Sequence, residues 1–463
     1  MSGKPTLALA SLVFATAAGL FAVGRAFIPY DSAKPILAVQ QDRLPAELRK
    51  VDETRWLAWA RRQDSSIRAR LRQGDLDSMV NLLLYGTSFT SQPRISMEGE
   101  GIAKASKAGV LRARVDDLVT GLRSPGDNER LIFLEQVLRS QGIDPGASDG
   151  PKETGRFIFQ NLLRVVQERK TLAERAADAK DLTGPDDPSS LLDGRALFRD
   201  RGVSLDTSIF PDFSIEQTLR DLKQRGVLRE GQVGRVAVIG PGLDFIDKTE
   251  GSAYDYYPQQ TLQPFALYDS LVRLRLARAN ALSMSILDIS PRVIQHIQRA
   301  RERAAKGIGY GVQLPREVAR PWTPELTAYW NSLGDQVGAP IRPIRPPEIF
   351  RGLETRAVLV RPEVVLACEP IDLNIVLERL NQAAGERFDL MVGTNIFVYY
   401  DVFEQTLALE NAAAMLKPGG LLLTNDRLPT FPGGSMRLAG ITVVPFDSPG
   451  VEARQAVGWY RKQ

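Results

Sequence analysis

The sequence has very few of the side chains that build metal sites and nucleophilic triads. Its 463 residues include one cysteine, Cys368, and one histidine, His296. A single cysteine excludes an internal disulfide and a cysteine-cluster metal site, and one histidine leaves almost no material for zinc ligation or for a histidine-based triad. We therefore expect no metal centre, and we expect His296, which lies on a helical stretch, to pack or to sit at the surface.

The chain also lacks a large excess of charge. Its formal net charge is +4, with 25% charged and 43% hydrophobic residues, which is ordinary for a folded globular protein. Basic residues are matched by acids within most segments, so the sequence predicts no nucleic-acid-binding face. The length is enough for a large core divided into two or three units.

Charge is absent from residues 5–24, which follow Lys4 and end before Arg25. About 20 apolar residues span a bilayer, and a secretory signal with small residues near its end fits the same pattern. Residues 1–27 thus predict a membrane anchor or a cleaved signal, and hence a membrane-anchored or envelope-exported protein. The side of the membrane stays open, because Lys4 and Arg25 favour opposite orientations.

The next two segments differ in composition. Residues 28–46 contain three prolines and are expected to form an extended linker. Residues 47–225 repeat apolar side chains at helix spacing, which predicts a mainly α-helical region. From residue 226 onward strand and helix patterns alternate, which is typical of an α/β domain with a parallel sheet.

A short apolar run at residues 236–239 breaks into Gly240 and Gly242. A continuous Val/Ile run predicts a buried parallel strand, and a glycine turn after it lets the backbone approach a ligand closely. The third glycine of a dinucleotide-binding loop is replaced by Asp244, which weakens a dinucleotide interpretation. We count Asp244 among the candidate cofactor contacts.

Two further acids follow predicted strands. Asp288 ends the second strand, where a doubly wound fold binds ribose hydroxyls. Ser290 before Pro291 is also a good helix start, so a purely structural role for this turn stays open. Asp372 follows the third strand, where it would accept a hydrogen bond from an adenine amino group or simply occupy a turn. An insertion at about residues 307–355 separates the second strand from the third, and a hairpin is expected around residues 358–368.

The last third of the chain carries the most specific motifs. Residues 388–401 read Phe-Asp-Leu-Met-Val-Gly-Thr-Asn-Ile-Phe-Val-Tyr-Tyr-Asp, and residues 416–423 read Leu-Lys-Pro-Gly-Gly-Leu-Leu-Leu. The order of these pieces resembles class I S-adenosylmethionine-dependent methyltransferases. The first motif, with the Leu-Asp-Ile-Ser-Pro turn at residues 287–291, is similar to the chemotaxis-receptor methyltransferase family. The resemblance covers about residues 231–463.

The resemblance implies a doubly wound, Rossmann-like methyltransferase sheet in residues 226–463, with S-adenosyl-L-methionine as cofactor. It implies that Gly240 and Gly242 face the methionine moiety of the cofactor, that Asp288 holds the ribose and that Asp372 holds the adenine. Asn395 would lie beside the transferring methyl group. Tyr399 and its neighbours would orient or deprotonate an acceptor, although a structural role for the tyrosines is equally open.

Two functions from different classes remain open at this point. The first is methyl transfer to an unidentified acceptor, either a protein carboxylate or a small molecule, by a domain attached to the envelope-directed segment. Since the methyl group of a sulfonium is already activated, positioning of the acceptor supplies most of the rate, and no conventional base is required. The alternative is a non-catalytic envelope protein that uses the same fold as a binding or scaffold module.

Overall fold

A computed structural model describes residues 24–41, 44–97, 100–180, 209–246, 254–348, 350, 352–447 and 454–463. Most of the predicted anchor or signal segment, residues 1–23, therefore lies outside the described residues. Within the described ranges, no helix combines the length and the apolar composition needed to cross a bilayer.

The described residues form both helices and strands. The helices are α1 Tyr30–Val39, α2 Glu53–Tyr85, α3 Gly101–Lys107, α4 Val110–Arg123, α5 Glu129–Ser140, α6 Gly150–Lys180, α7 Ile209–Gln224, α8 Gln263–Arg273, α9 Pro291–Ala304, α10 Pro324–Ser332, α11 Pro362–Leu366 and α12 Val402–Met415. The strands are β1 Arg25–Phe27, β2 Arg235–Ile239, β3 Ser283–Asp288, β4 Tyr310–Glu317, β5 Gly338–Ile341, β6 Leu353–Val360, β7 Cys368–Asp372, β8 Glu378–Leu380, β9 Phe388–Gly393, β10 Leu416–Thr424, β11 Met436–Pro445 and β12 Arg454–Lys462.

Seven strands form the central sheet, in the order β11-β12-β10-β9-β2-β3-β7. The neighbours from β10 to β7 pair in parallel, while β12 pairs antiparallel with both β10 and β11. The predicted doubly wound α/β sheet in the C-terminal half, and the mainly helical region before it, are confirmed. The antiparallel strands β12 and β11 close the sheet at one edge.

The central strands are buried on both faces, which explains their continuous apolar runs. In β2, Val236 and Val238 pack into one hydrophobic cluster. Ala237 and Ile239 pack into a second cluster, on the opposite face of the sheet. This alternation follows from the two-residue period of a strand. The second cluster is covered by α1, by the first half of α2 and by α12.

The expected extended linker at residues 28–46 is wrong, because residues 30–39 form α1. Ala33, Ile36 and Leu37 of this helix are buried. Their spacing places them on one helix face, which packs against the sheet together with α12. This apolar face outweighs the prolines that suggested an extended chain, one of which, Pro35, lies inside the helix.

The expected hairpin around residues 358–368 is also wrong. The strand before the turn, β6, belongs to a separate three-stranded sheet of order β4-β6-β5, and the strand after it, β7, belongs to the central sheet. Residues between them form α11, with Pro362 in its first turn. Proline is preorganised for that position by its fixed φ angle. The small sheet and α10 make up the insertion between β3 and β7.

Helix α2 joins the helical region to the sheet. It is 33 residues long, and the side chain of its N-cap residue Asp52 accepts a hydrogen bond from the backbone N–H of Arg55 at 2.8 Å. Trp56 and Trp59 in its first half pack against Phe403 of α12. Its second half joins α4, α5 and α6 in a third hydrophobic cluster.

Candidate functional site

The direction in which the chain adds strands reverses beside β2. From β2 the chain adds β3 and β7 on one side, and β9 and β10 are added on the other. In open parallel sheets, ligands bind in the crevice outside the carboxyl ends of the strands at such a switch point. The glycine turn that follows β2 lies at this position.

The turn after β2 requires glycine. Gly240 and Gly242 have φ angles of +60° and +74°, in the left-handed region that favours glycine. The backbone N–H of Gly240 donates to the Leu287 carbonyl at 2.8 Å. A Cβ on Gly240 would lie 2.1 Å from the Cδ1 atom of Ile396. Both glycines line a small cleft, together with Asp288, Ile396 and other residues.

Asp288 brings a buried carboxyl group to this cleft. It is the last residue of β3, and its Oδ1 atom accepts a hydrogen bond from the backbone N–H of Ser290 at 2.7 Å. Burial raises the pKa of Asp288 to about 7, and the nearby charge of Asp372 adds to this rise, whereas backbone hydrogen bonds and Arg68 oppose it. The carboxyl group is therefore poised between its acid and anionic forms near neutral pH.

Asp372 lies beside Asp288 across the β3–β7 pair. Its carboxylate is already held by two arginines. Arg68 Nη1 donates to Asp372 Oδ1 at 2.8 Å, and Arg25 Nη1 lies 3.3 Å from Oδ2. Arg68 also contacts the Ile289 carbonyl at 3.3 Å and the Glu378 carboxylate at 3.4 Å. The Arg68 guanidinium, on α2, thus contacts residues at the carboxyl ends of both β3 and β7.

Asn395, predicted beside the methyl group, and Tyr399, predicted to orient an acceptor, lie in different surroundings. Asn395 has a φ angle of +58°, and its Oδ1 accepts a hydrogen bond from Asn425 Nδ2 at 2.8 Å. Tyr399 packs with Val398 against Leu71 of α2. Its neighbour Tyr400 lines the cleft instead. The sequence singled out both tyrosines, but it does not give the direction of side chains in the short 3₁₀ turn that carries them.

The cleft fits a nucleoside cofactor in its chemistry but not in its volume. Its glycine turn and buried acid are suited to a cofactor's amino-acid end and to a ribose diol. Its volume is about 30 Å³, which is room for about two waters. Ile396 over Gly240, and Arg68 across Asp372, would have to move before a nucleoside could enter.

Asp244 faces a second, larger cavity on the other side of the same loop. This cavity has a volume of about 90 Å³. The Asp244 carboxylate accepts hydrogen bonds there from the Tyr257 hydroxyl at 2.7 Å and from Gln260 Nε2 at 3.4 Å. Gly242 and Asp244, two residues apart, therefore line two different spaces.

The helical region supplies contacts that the sequence did not reveal. Arg130 of α5 is 3% exposed, and it donates to the carbonyls of Phe245, Tyr257 at 2.6 Å and Asp244 at 3.2 Å. This arginine fixes both ends of the loop between the cleft and the cavity. The sequence signal is that Arg130 lies on the apolar face of α5, whereas an arginine normally lies on the polar face of a helix.

Other predicted features are structural. His296 Nε2 lies 2.8 Å from the Tyr310 hydroxyl, and burial, with nearby arginines, lowers its pKa to about 4. Lys417 of the Lys-Pro-Gly-Gly turn contacts Asp389 at 2.5 Å, and Asp389 accepts from the Gly234 N–H at the amino end of β2. Among the described residues, no three His, Cys, Asp or Glu side chains cluster as metal ligands would.

No protein-family model matches the sequence, and no curated protein sequence matches it. Among solved structures, the chain is similar to TrmN from Thermus thermophilus, with 12% identity and a TM-score of 0.24, over 55% of this chain and 52% of TrmN. It is also similar to the N-methyltransferase NodS from Bradyrhizobium japonicum WM9 in complex with S-adenosyl-L-homocysteine, with 14% identity and a TM-score of 0.26, over 60% of this chain and 99% of NodS. For the mitomycin 7-O-methyltransferase MmcR, the identity is 13% and the TM-score 0.27, over 87% of this chain and 96% of MmcR. The match thus spans about half of the length of TrmN.

Proposed function

We propose that this protein binds S-adenosyl-L-methionine and transfers its methyl group to an acceptor. The observation that carries the proposal is the buried Asp288 carboxyl group, which lines the same cleft as the left-handed glycines Gly240 and Gly242. The cleft lies at the switch point of a doubly wound sheet, where such folds bind nucleotides. The motifs at residues 388–401 and 416–423 support the same activity.

In the proposed complex, five of the predicted residues have a task. Gly240 and Gly242 approach the methionine moiety, and Asp288 accepts hydrogen bonds from the ribose hydroxyls. Asp372 accepts from the adenine after Arg68 releases it, and Asn395 borders the methyl group. The cofactor supplies an activated methyl group, and the protein's part is to position the acceptor behind it. Tyr400 lines the cleft, whereas Tyr399 packs against α2.

Calorimetric titration of S-adenosylmethionine and S-adenosylhomocysteine into the full-length protein tests the cofactor. We expect micromolar affinity, equivalent to about −8 kcal/mol. Asp288→Ala should weaken binding by about 1.5 to 3 kcal/mol through the loss of charge-assisted hydrogen bonds. The matched control is Glu369→Gln, which removes an exposed acid from the neighbouring strand β7. Equal affinity of folded Asp288→Ala and the parent protein would contradict the ribose assignment.

The second candidate is a non-catalytic binding module with the same fold. It is favoured by the closed cleft of about 30 Å³ and by the Arg68 contact with Asp372. This candidate predicts that a well-folded sample binds neither S-adenosylmethionine nor S-adenosylhomocysteine. The same titration therefore separates the two functions.

The acceptor and the location are further parts of the proposal. The similarity of residues 388–401 to chemotaxis-receptor methyltransferases favours a protein carboxylate as acceptor, while the cavity beside the cleft favours a small molecule.

We also propose that residues 1–23 direct the protein to the cell envelope. The first described strand, β1, pairs with β8, so an anchor would join the folded domain without a spacer. Cell fractionation of the full chain and of a form lacking residues 1–23 tests this, and identical soluble fractions would contradict it.

A further inference from the structure

A polar pocket lies at the amino end of β2, whereas the glycine turn follows the carboxyl end of the same strand. Its volume is about 540 Å³, within the range of about 300 to 1,000 Å³ that is common for ligand sites. Its charged lining residues are Arg225, Arg229, Glu230 and Arg461. Arg229 precedes β2, and Arg461 lies near the end of β12. This pocket is therefore separate from the cleft and from the cavity beside the loop after β2.

Two of the charged residues that line the pocket are already paired. Arg225 Nε donates to Asp221 Oδ1 at 2.7 Å, and Glu230 Oε1 accepts from Lys223 Nζ at 2.7 Å. In each pair one positive charge balances one negative charge. Any excess charge in the pocket must therefore come from its other arginines.

Arg229 and Arg461 supply positive charge that no described acid neutralises. Both side chains are exposed, and within the described residues neither takes part in a salt bridge or a side-chain hydrogen bond. The Arg461 guanidinium lies beside the Lys-Pro-Gly-Gly turn, because a Cβ added at Gly419 would be 3.5 Å from Arg461 Nη2. The turn that the sequence analysis singled out thus borders the pocket.

A third arginine makes this concentration of charge unfavourable in the free protein. Arg437 of β11 lies directly opposite Arg461 in the antiparallel β11–β12 pair. Side chains at such positions have their Cβ atoms about 4.5 to 5.5 Å apart, and like charges there repel each other. Arg437 makes no salt bridge to a described acid either. An anion beside the two guanidiniums would offset this repulsion, so the pair favours anion binding.

The kind and number of these cations indicate the class of anion. Guanidinium groups bind phosphate through two parallel charge-assisted hydrogen bonds, which are stronger than hydrogen bonds between neutral groups. Three arginines without an acid partner match an anion with several negative charges better than a monoanion. Gln232 also lines the pocket, and its Oε1 accepts from the backbone N–H of Arg229 at 3.0 Å. The Gln232 NH2 group remains as a neutral donor for a phosphate oxygen.

We propose that this pocket binds a ligand with two or more phosphate groups. Arg229, from the loop before β2, and Arg461, from β12, bind the phosphates. Arg437 adds positive charge beside Arg461. Both a soluble oligophosphate and a lipid head group with two phosphates have this chemistry. The proposal does not rest on the proposed methyl transfer, because the pocket lies at the other end of β2 from the cleft.

Calorimetric titration of inorganic pyrophosphate into the full-length protein, without S-adenosylmethionine, tests the pocket. We expect saturable binding that weakens as the salt concentration rises, because salt screens exposed charges. Arg229→Gln and Arg461→Gln should each weaken binding by about tenfold. The matched control is Arg454→Gln, which removes an exposed arginine at the other end of β12 and should leave the affinity unchanged.

Thermal unfolding separates ligand binding from a structural role of the arginine pair. Without ligand, Arg437→Gln should not lower the melting temperature, because it removes a like-charge contact. Pyrophosphate should raise the melting temperature of the parent protein and raise that of Arg437→Gln by less. If Arg437→Gln lowers the melting temperature without ligand and leaves the pyrophosphate effect unchanged, Arg437 supports the fold and not the anion, which contradicts its place in the proposal.

Vesicles with and without cardiolipin, a lipid that carries two phosphates, distinguish the two sources of the ligand. Pyrophosphate binding that the Arg229 and Arg461 variants weaken identifies a soluble oligophosphate. Binding to cardiolipin vesicles alone, weakened by the same variants, identifies a lipid head group. Absence of both kinds of binding overturns the proposal. Equal binding by the parent protein and by Arg461→Gln also overturns it, because the phosphates would then bind elsewhere.

Discussion

The two sides of the β2 loop are held by two arginines of the helical region, and these arginines make different kinds of contact. Arg68 lies on the cleft side and bonds to the carboxylates of Asp372, Glu378 and Asp64, and at 3.3 Å to one backbone carbonyl, that of Ile289. Arg130 lies on the cavity side and bonds to three backbone carbonyls. The Arg68 side chain is 25% exposed, whereas Arg130 is 3% exposed.

This difference indicates which side of the β2 loop can move: the cleft side, held by Arg68, or the cavity side, held by Arg130. Water can replace the contacts of a partly exposed guanidinium with carboxylates, so Arg68 can release Asp372 at modest free-energy cost. Loss of Arg130 would leave buried carbonyls without a donor, which is expensive. We infer that the cavity is a permanent feature of the fold, while the cleft changes between a closed and an open form.

The largest expected effect tests the permanent wall. Arg130→Met keeps the length and apolar stem of the side chain but removes the donors to three carbonyls. We expect the free energy of unfolding to fall by about 3 to 5 kcal/mol, the range for a broken buried network. Chemical denaturation followed by circular dichroism measures it. Arg112→Met, whose side chain is 90% exposed, is the control and should change stability by less than about 0.5 kcal/mol. A loss below about 1 kcal/mol for Arg130→Met would remove the basis for a rigid wall.

The next effect concerns the closure of the cleft by Ile396. Gly240→Ala puts a Cβ in a left-handed position, which costs about 1 to 2 kcal/mol, and it also displaces the Ile396 side chain. We expect a total loss of about 2 to 4 kcal/mol in unfolding free energy. The control is Gly307→Ala. Gly307 has a φ angle of +79°, and nothing lies within 4 Å of the added Cβ, so this variant measures the backbone cost alone. Equal losses for the two variants would show that Ile396 does not close the cleft.

A smaller effect tests the movable wall. Arg68→Ala should lower the free energy of unfolding by about 1 to 2 kcal/mol, because its ion pairs are partly solvated. S-Adenosylmethionine should bind severalfold more tightly to this variant at about pH 8, where Asp288 is ionised, since no Arg68–Asp372 contact must break first. Arg55→Ala, with a 72% exposed side chain, is the control. Weaker cofactor binding by Arg68→Ala would show that Arg68 supports the cofactor site instead of closing it.

Much of the sheet was predictable because local patterns set it. The apolar runs of β2 and β9 and the acid that ends β3 are local signals, and the structure places them as expected. The Lys-Pro-Gly-Gly motif was among the most specific sequence motifs, yet Lys417 lies at the amino ends of the strands, away from the cleft. A motif that identifies a fold therefore need not mark its site.

The contacts of the helical region were not predictable in the same way. Arg68 and Asp372 are separated by 304 positions, and Arg130 and Phe245 by 115. No local pattern encodes such pairs, because they depend on how whole layers pack. The orientation of Asp244 was hidden for a related reason, since a turn with positive φ angles redirects the chain within two residues.

The smallest expected effect is a pH dependence that separates the cleft from the cavity. Burial raises the pKa of Asp288 from its ordinary value of 3.8 to about 7, so the fold loses stability as the pH rises from about 4 to about 7, and the loss levels off above that value. The ribose hydroxyls donate to the ionised carboxylate, so cofactor affinity should rise with pH while the stability of the fold falls. It should rise by about tenfold between pH 6 and pH 7.5 and then level off. Calorimetry across this range measures it, with Asp288→Asn as the variant whose profile should be flat. If the affinity of the parent protein is equally independent of pH, ionisation of Asp288 does not contribute to cofactor binding. The glycine turn would then be the remaining cofactor contact of the cleft.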